Sequence, residues 1–287
     1  MIHKAKKSLG QNFLKSVPAL NKIVETGEIS STDTILEIGP GKGALTEKLL
    51  EKAGRVIAIE KDYELFELLK IKFKKEIETR TLILVCEDIL NFDVQQNISG
   101  QNYKIIANIP YNITGAILKK FLTEKNQPER MILMVQNEVA KRIVAQDGKE
   151  SILSISVKAY GNPKIIMKVP ARYFSPEPNV DSAVIAIKNI SRKIFIENNI
   201  DEDNFWKIIR AGFAHKRKKL SSNLKKIDPL LISPLAGEEN IPMTRGVRGV
   251  IDLGNKRAEE LTLIEWINLA KAITPPGLPL SREEKIQ

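Results

Sequence analysis

The segment Glu37-Ile38-Gly39-Pro40-Gly41-Lys42-Gly43-Ala44 constrains this chain more than any other. It follows the apolar run Thr34–Ile38 and precedes a helical pattern over 44–51, so its glycines fall between a predicted strand and a predicted helix. Glycine lets the backbone turn tightly and approach a ligand there, at the strand ends where open α/β sheets bind. The alternation continues, with strands at 55–59, 82–86, 103–107 and 131–135 and helices at 63–74, 115–122 and 138–144. This rhythm predicts βαβ units and a parallel sheet with helices on both faces.

The flanks differ. A short helix is expected over 18–26, before the glycine loop, and another over 152–159. The β-rich runs at 164–169 and 180–187 are separated by the stretch from Pro170 to Pro178, too short for a crossover helix, so they are expected to be antiparallel. From about Ile190 the pattern turns helical, at 201–211 and again at 262–272, and Pro275 to Pro279 reads as a loose tail. The expected division is an α/β Rossmann-like domain over 1–190 with a C-terminal antiparallel strand, and a small all-α domain over 191–287.

Taken alone, the glycine loop is ambiguous. Gly39, Gly41 and Ala44 satisfy the dinucleotide pattern, and Glu60, 21 residues after Gly39, could bond a ribose hydroxyl in that reading or in a methyltransferase. A P-loop is excluded because Lys42 lacks the following Ser or Thr and the glycine spacing differs. The next strand ends separate the other two. The third is followed by Asp88, where a carboxylate could accept a bond from an exocyclic adenine amine, and the fourth by Asn108-Ile109-Pro110-Tyr111. A nicotinamide enzyme has no need of Asn-Ile-Pro-Tyr, whereas an amine methyltransferase does. The lone pair of an adenine N6 is delocalised into the ring. The Asn108 side-chain carbonyl and the Ile109 or Pro110 backbone carbonyl could accept the amine hydrogens and align that lone pair for in-line displacement. Tyr111 offers a face on which a flipped base can stack, and Phe174, in the proline-flanked segment from Arg172 to Pro178, is a candidate for the opposite face. A strand-terminating proline turn and ordinary loop packing are the alternatives for these two segments.

Charge supplies the partner. The 45 Lys and Arg against 35 Asp and Glu give a net charge of +10. Residues 1–15 carry Lys4, Lys6, Lys7 and Lys15 with no acid, and residues 209–226 carry Arg210, Lys216, Arg217, Lys218, Lys219, Lys225 and Lys226 with no acid, leaving 34 basic residues against 35 acids elsewhere. Two local patches on a near-neutral chain point to a polyanion such as nucleic acid. Lys216, Arg217, Lys218 and Lys219 are the predicted RNA-binding cluster, on helix–turn–helix material. The single cysteine, Cys86, excludes an intramolecular disulfide, and its apolar surroundings predict a buried thiol. No stretch has the pattern of a signal peptide or the length of a membrane span, so a cytoplasmic, membrane-free protein is expected.

The ordered set Ser8-Leu9-Gly10-Gln11-Asn12-Phe13-Leu14, Glu37 to Gly43, Asp88-Ile89-Leu90, Asn108 to Tyr111, Gln136 to Ala140, Phe174 to Ser182, Phe213 to Leu220 and Arg257 to Leu261 resembles the small-subunit ribosomal RNA adenine N6,N6-dimethyltransferases. The resemblance implies S-adenosylmethionine as methyl donor, no metal, and dimethylation of two adjacent adenosines in a hairpin loop near the 3′ end of 16S rRNA, late in subunit assembly. It also implies cofactor contacts at Asn12, Leu14, Gly39, Gly41, Glu60, Asp88 and Asn108, a small helical domain beside the Rossmann-like one, and a monomer. Two positions depart from the family pattern: Glu177 interrupts a proline run, and His215-Lys216 replaces a polar-Arg pair. The large-subunit macrolide-resistance methyltransferases share the glycine loop and Asn-Ile-Pro-Tyr. A non-catalytic assembly factor on the same scaffold is a rival from another class.

Overall fold

All five residues of Thr34–Ile38 are buried, as expected of a strand covered on both faces inside a parallel sheet. The computed structural model describes residues 5–6, 9–98, 100–225 and 253–273. Its strands are β1 (Phe13–Leu14), β2 (Thr34–Ile38), β3 (Arg55–Glu60), β4 (Leu82–Cys86), β5 (Tyr103–Asn108), β6 (Arg130–Gln136), β7 (Asn162–Val169), β8 (Phe174–Ser175) and β9 (Ser182–Lys188). The helices before residue 145 are α1 (Val17–Thr26), α2 (Ala44–Leu50), α3 (Tyr63–Lys72), α4 (Lys74–Glu78), α5 (Val94–Ile98), α6 (Thr114–Thr123) and α7 (Asn137–Val144). The later ones are α8 (Ile152–Lys158), α9 (Lys193–Asn198), α10 (Glu202–Gly212), α11 (Leu220–Leu224) and α12 (Leu263–Ile273). Lys4, Lys7, Ser8, Lys226 and the stretch from Pro275 to Pro279 lie outside the described residues.

The large sheet has the order β4-β3-β2-β5-β6-β9-β7. The first five strands are mutually parallel, while β9 runs antiparallel to both β6 and β7. From β2 the chain works outward through β3 to β4, then returns to the other side of β2 with β5. This reversal opens a crevice at the carboxyl ends of β2 and β5, the switch point where doubly wound sheets hold ligands. A second, two-stranded ribbon pairs Phe13 with Ser175 and Leu14 with Phe174, and the Lys15 amide donates to the Tyr173 carbonyl at 2.8 Å. The ribbon lays residues 9–15 as a strap along the crevice.

Local chemistry fixes the helix starts. Asp62 caps α3 by accepting from the Glu64 amide, Asp201 caps α10 from the Asn204 amide, and Ser151 and Ser154 form a reciprocal capping box at α8. Each such cap satisfies amides that the first helical turn leaves unpaired. Cys86 corrects an expectation: the thiol is exposed. β4 is the sheet's edge strand and only its first residue, Leu82, is fully buried, so the end of an apolar run lies outside the core.

Packing divides the chain into one unit of Met1–Val144 with Tyr160–Ser191 and another of Ala145–Ala159 with Arg192–Gln287. The second unit starts at Ala145, takes in α8 and resumes at Arg192, whereas the sequence leads to one linear boundary near 190, which cannot express such an excursion. Within that unit the Glu150 amide donates to the Glu259 carbonyl at 2.7 Å. Its core gathers Phe195, Phe205 and the fully buried Trp266. Gly212 is required there, because a Cβ would stand 2.3 Å from the Trp266 ring.

Candidate active site

The carboxyl ends of β2, β3, β4 and β5, together with strap residues 9–15, line a cavity of about 430 Å³. Its floor is the glycine loop. Gly39, Gly41 and Gly43 adopt φ values of 65°, 60° and 75°, the left-handed region that glycine enters without steric cost. Two of them also admit close neighbours: a Cβ on Gly41 would sit 3.0 Å from the Phe13 ring, and one on Gly43 2.5 Å from Phe73. The loop is thus shaped to lie against the strap on one side and the end of α3 on the other.

Glu60 ends β3 with its side chain almost wholly buried. One carboxylate oxygen accepts from the Gly41 amide at 3.0 Å and the other from the Asp62 amide at 2.8 Å. Burial raises its pKa despite these bonds. Each oxygen retains capacity for a further donor such as a ribose hydroxyl. Asp88, just past β4, accepts from the Leu90 amide at 3.0 Å and pairs with Lys61 at 2.7 Å. That pairing is the first cause of its lowered pKa, so Asp88 is an anion and an acceptor at the cavity wall.

Asn108 ends β5. Its amide nitrogen donates to the Asn12 backbone carbonyl at 3.2 Å, which commits the nitrogen and leaves the side-chain oxygen as an acceptor. The Asn12 side chain in turn donates to the Gly10 carbonyl at 3.2 Å, so strap and β5 are tied at the cavity mouth. Ile109 is buried, and Pro110 precedes a 3₁₀ turn, Tyr111–Ile113. The Tyr111 hydroxyl shares a 2.6 Å hydrogen bond with the Ser182 hydroxyl on β9, which fixes the ring's far edge. Asn12, Leu14, Gly39, Gly41, Glu60, Asp88, Asn108, Ile109, Pro110 and Tyr111 all line the cavity.

Phe174 is placed elsewhere. It is 2% exposed in the main hydrophobic core and is absent from the cavity lining, where its neighbour Ser175 appears instead. The β1–β8 pairing alternates side chains across the ribbon, and Phe174 takes the inward side opposite Leu14, itself 7% exposed. The expected sandwich with Tyr111 is therefore corrected: the Phe174 ring is a core group in this conformation.

Sequence reasoning also passed over Glu37. It is 1% exposed, lines the cavity, and has a carboxylate oxygen, Oε2, with no hydrogen-bond partner. Burial pushes its pKa up to about 8, with Glu60 acting in the same direction. At neutral pH it is chiefly the neutral acid, able to donate as well as accept. The readable signal was a lone acid inside the otherwise uncharged run Thr-Ile-Leu-Glu-Ile. Among the described residues no group of three or more His, Cys, Asp or Glu could hold a metal ion, and no helix is long and apolar enough to cross a membrane.

The predicted RNA-binding residues form a separate feature of the second unit. Lys216, Arg217, Lys218 and Lys219 are exposed on the turn between α10 and α11. The turn is built from inside by Asn223, which is 6% exposed and donates to the Gly212 carbonyl at 2.6 Å and the His215 carbonyl at 3.2 Å.

Comparison with known proteins bears on this geometry. The sequence model of a family described as ribosomal RNA adenine dimethylase matches residues 2–266. A relative from Dehalococcoides mccartyi, named ribosomal RNA small subunit methyltransferase A, is 42% identical over 272 residues, covering 93% of this chain and 87% of that protein. The solved dimethyladenosine transferase of Plasmodium falciparum superposes with a TM-score of 0.65 at 30% identity over 76% of each chain. The 23S rRNA methyltransferase ErmE superposes with a TM-score of 0.67 over 91% of this chain and 99% of that one, but at 21% identity the likeness is one of fold.

Proposed function

The chain belongs to the ribosomal RNA adenine dimethylase family, and from that premise we propose that it dimethylates N6 of two adjacent adenosines near the 3′ end of 16S rRNA, in the small ribosomal subunit or its precursor. The methyl donor is S-adenosylmethionine, the enzyme acts as a cytoplasmic monomer, and no metal takes part.

The residues fit such a donor. Apolar Ile38, Ile59 and Ile89 line the cavity beside the acceptors Glu60 and Asp88, and the partnerless buried Oε2 of Glu37 supports a polar ligand atom in the cavity. When bound, the donor supplies an electrophilic sulfonium methyl group. Glu60 would hold the ribose hydroxyls and Asp88 the adenine amine, and the glycine loop leaves room for the ligand close to the backbone. Strap residues Asn12 and Leu14 cover the site and exclude water.

The observation that carries this reading is the orientation of Asn108. With its nitrogen held by the Asn12 carbonyl, its oxygen accepts one hydrogen of the target amine, and the Ile109 or Pro110 carbonyl accepts the other. That pair of acceptors would draw the amine lone pair out of conjugation and so make the amine a better nucleophile. Tyr111 stacks on the flipped base, its ring steadied by Ser182. No strong general base is needed, because the methylated amine sheds its proton readily to a carbonyl or to water. Lys216, Arg217, Lys218 and Lys219 hold phosphates and orient the RNA, leaving selection to loop shape and the base pocket. Incubation with labelled donor and either unmethylated small subunits or large-subunit RNA tests the reading. Label in dimethyladenosine from the small subunit alone is the expected result; label in large-subunit RNA would assign the other substrate, and none in either would remove catalysis.

A further inference from the structure

Besides the β1–β8 pairing and the Asn108 tie, the strap over the cavity is held by Asp62, a carboxylate that does not itself line the cavity. Asp62 follows Glu60 by two residues and begins α3. As an N-cap it needs only to accept from the Glu64 amide, which it does at 3.1 Å. Yet its side chain is fully buried and, among the described residues, also accepts from the strap and the residues leading into it: Lys6 Nζ reaches Oδ1 at 2.8 Å and Gln11 Nε2 reaches Oδ2 at 2.7 Å. The Lys6 amide donates to Gln11 Oε1 at 2.8 Å, so these two residues brace each other before they meet the carboxylate. Lys6 Nζ also lies 3.0 Å from Glu64. On its backbone side Asp62 donates to Glu60 Oε1 at 2.8 Å. One residue thus grips the cavity's cover through its side chain and orients the acid at the cavity wall through its amide.

We propose that Asp62 is a positioning residue that latches the strap of residues 9–15 through Lys6 and Gln11, and so sets how fast the adenosyl ligand enters and leaves. This rests on the reading that the cavity is the cofactor site. The chemistry favours a latch over a plain cap. Both of these bonds end on an ionised acceptor, which makes them about twice as strong as neutral hydrogen bonds, and the pair is half-open to water at Lys6, whose side chain is 37% exposed. Such a tie is firm enough to hold a closed strap and accessible enough to release it. Gln11 itself lines the cavity, so motion of the latch is motion of the wall. Repeated transfers to one RNA require repeated exchange of spent ligand for fresh, and each exchange opens the cover.

Two variants isolate the latch. Asp62→Asn preserves shape and N-cap, since Asn caps helices as well as Asp, but removes the charge. Lys6→Met changes a half-exposed residue at the start of the strap and leaves α3 intact. The probe is S-adenosylhomocysteine, with affinity measured by calorimetry, dissociation by stopped flow, and strap opening by trypsin cleavage after Lys15. Both variants should weaken binding about tenfold, the scale of removing one charge-assisted hydrogen bond, through faster dissociation. Cleavage in the bound state should become faster, and in turnover the effect should fall on KM for the donor more than on kcat. Glu60→Gln separates the latch from the premise. Wild-type dissociation rates in Asp62→Asn and Lys6→Met, with weakened binding in Glu60→Gln, would overturn the latch and leave the cofactor site standing. Undiminished binding in Glu60→Gln as well would remove both.

Discussion

The two lysine-rich segments look alike in sequence and differ in what the fold does with them. In the first unit Lys6 is bonded to Asp62 and Glu64, and Lys42 stands 4.9 Å over the Phe13 ring beside the glycine loop. In the second unit Lys216, Arg217, Lys218 and Lys219 are all exposed, and none has an ion-pair partner among the described residues. In the first segment Lys6 is claimed internally, by two acids at the start of a nearby helix, while Lys15 is exposed. The second presents charge outward from a turn whose ends Asn223 pins from the interior. Charge in a sequence therefore names a partner only after internal claims on it have been settled.

The contrast can be broken at three points. Asn108→Ala should reduce methyl transfer by about 10²–10³-fold, the usual cost of removing a hydrogen bond made in the transition state, while fluorescence anisotropy finds RNA affinity within about twofold of wild type. A drop in RNA affinity instead would merge the two regions into one function. Glu substitution at Lys216, Arg217, Lys218 and Lys219 together should do the reverse. RNA binding weakens and the slope of log affinity against log salt shrinks by up to about 0.7 for each single-strand phosphate no longer neutralised, with calorimetry finding cofactor affinity unaltered. An unchanged slope would strip this turn of its assignment.

A third test concerns Glu37. Its folded pKa of about 8 lies above its ordinary value of 4.5, so between these limits the folded state keeps a proton that the unfolded chain has released. Stability contributed by this group is complete below about pH 4.5 and is lost as pH rises toward 8. Thermal melts from about pH 5 to 9 should therefore fall more steeply for wild type than for Glu37→Gln. Parallel curves would mean that the carboxyl finds a partner in the native protein.

Much of this was legible in the chain. The alternation of apolar runs and helical spacing locates β2 to β6 and their helices closely, because buried parallel strands are continuous apolar runs and amphipathic helices show their period. The antiparallel β7 and β9 followed from the length of the link between them. What escaped depends on neighbours that sequence distance conceals. β1 and β8 are two residues each, with no periodicity to detect, and their pairing is what turns Phe174 inward. Cys86 is exposed because β4 is an edge, a property of strand order rather than of composition. Asp62 reads as a helix cap, and nothing local reports that Lys6 and Gln11 will return to it.

The ribbon of β1 and β8 has a consequence for the order of events. Leu14 leaves the ribosome about 160 residues before Phe174, its partner across the ribbon, and pairings of such long separation are slow to form. During synthesis β1 is thus among the first segments made and among the last to find its partner strand. A nascent chain can complete β2 to β6, with Asp62 already in place to meet Lys6 and Gln11, before β8 has emerged to close the ribbon.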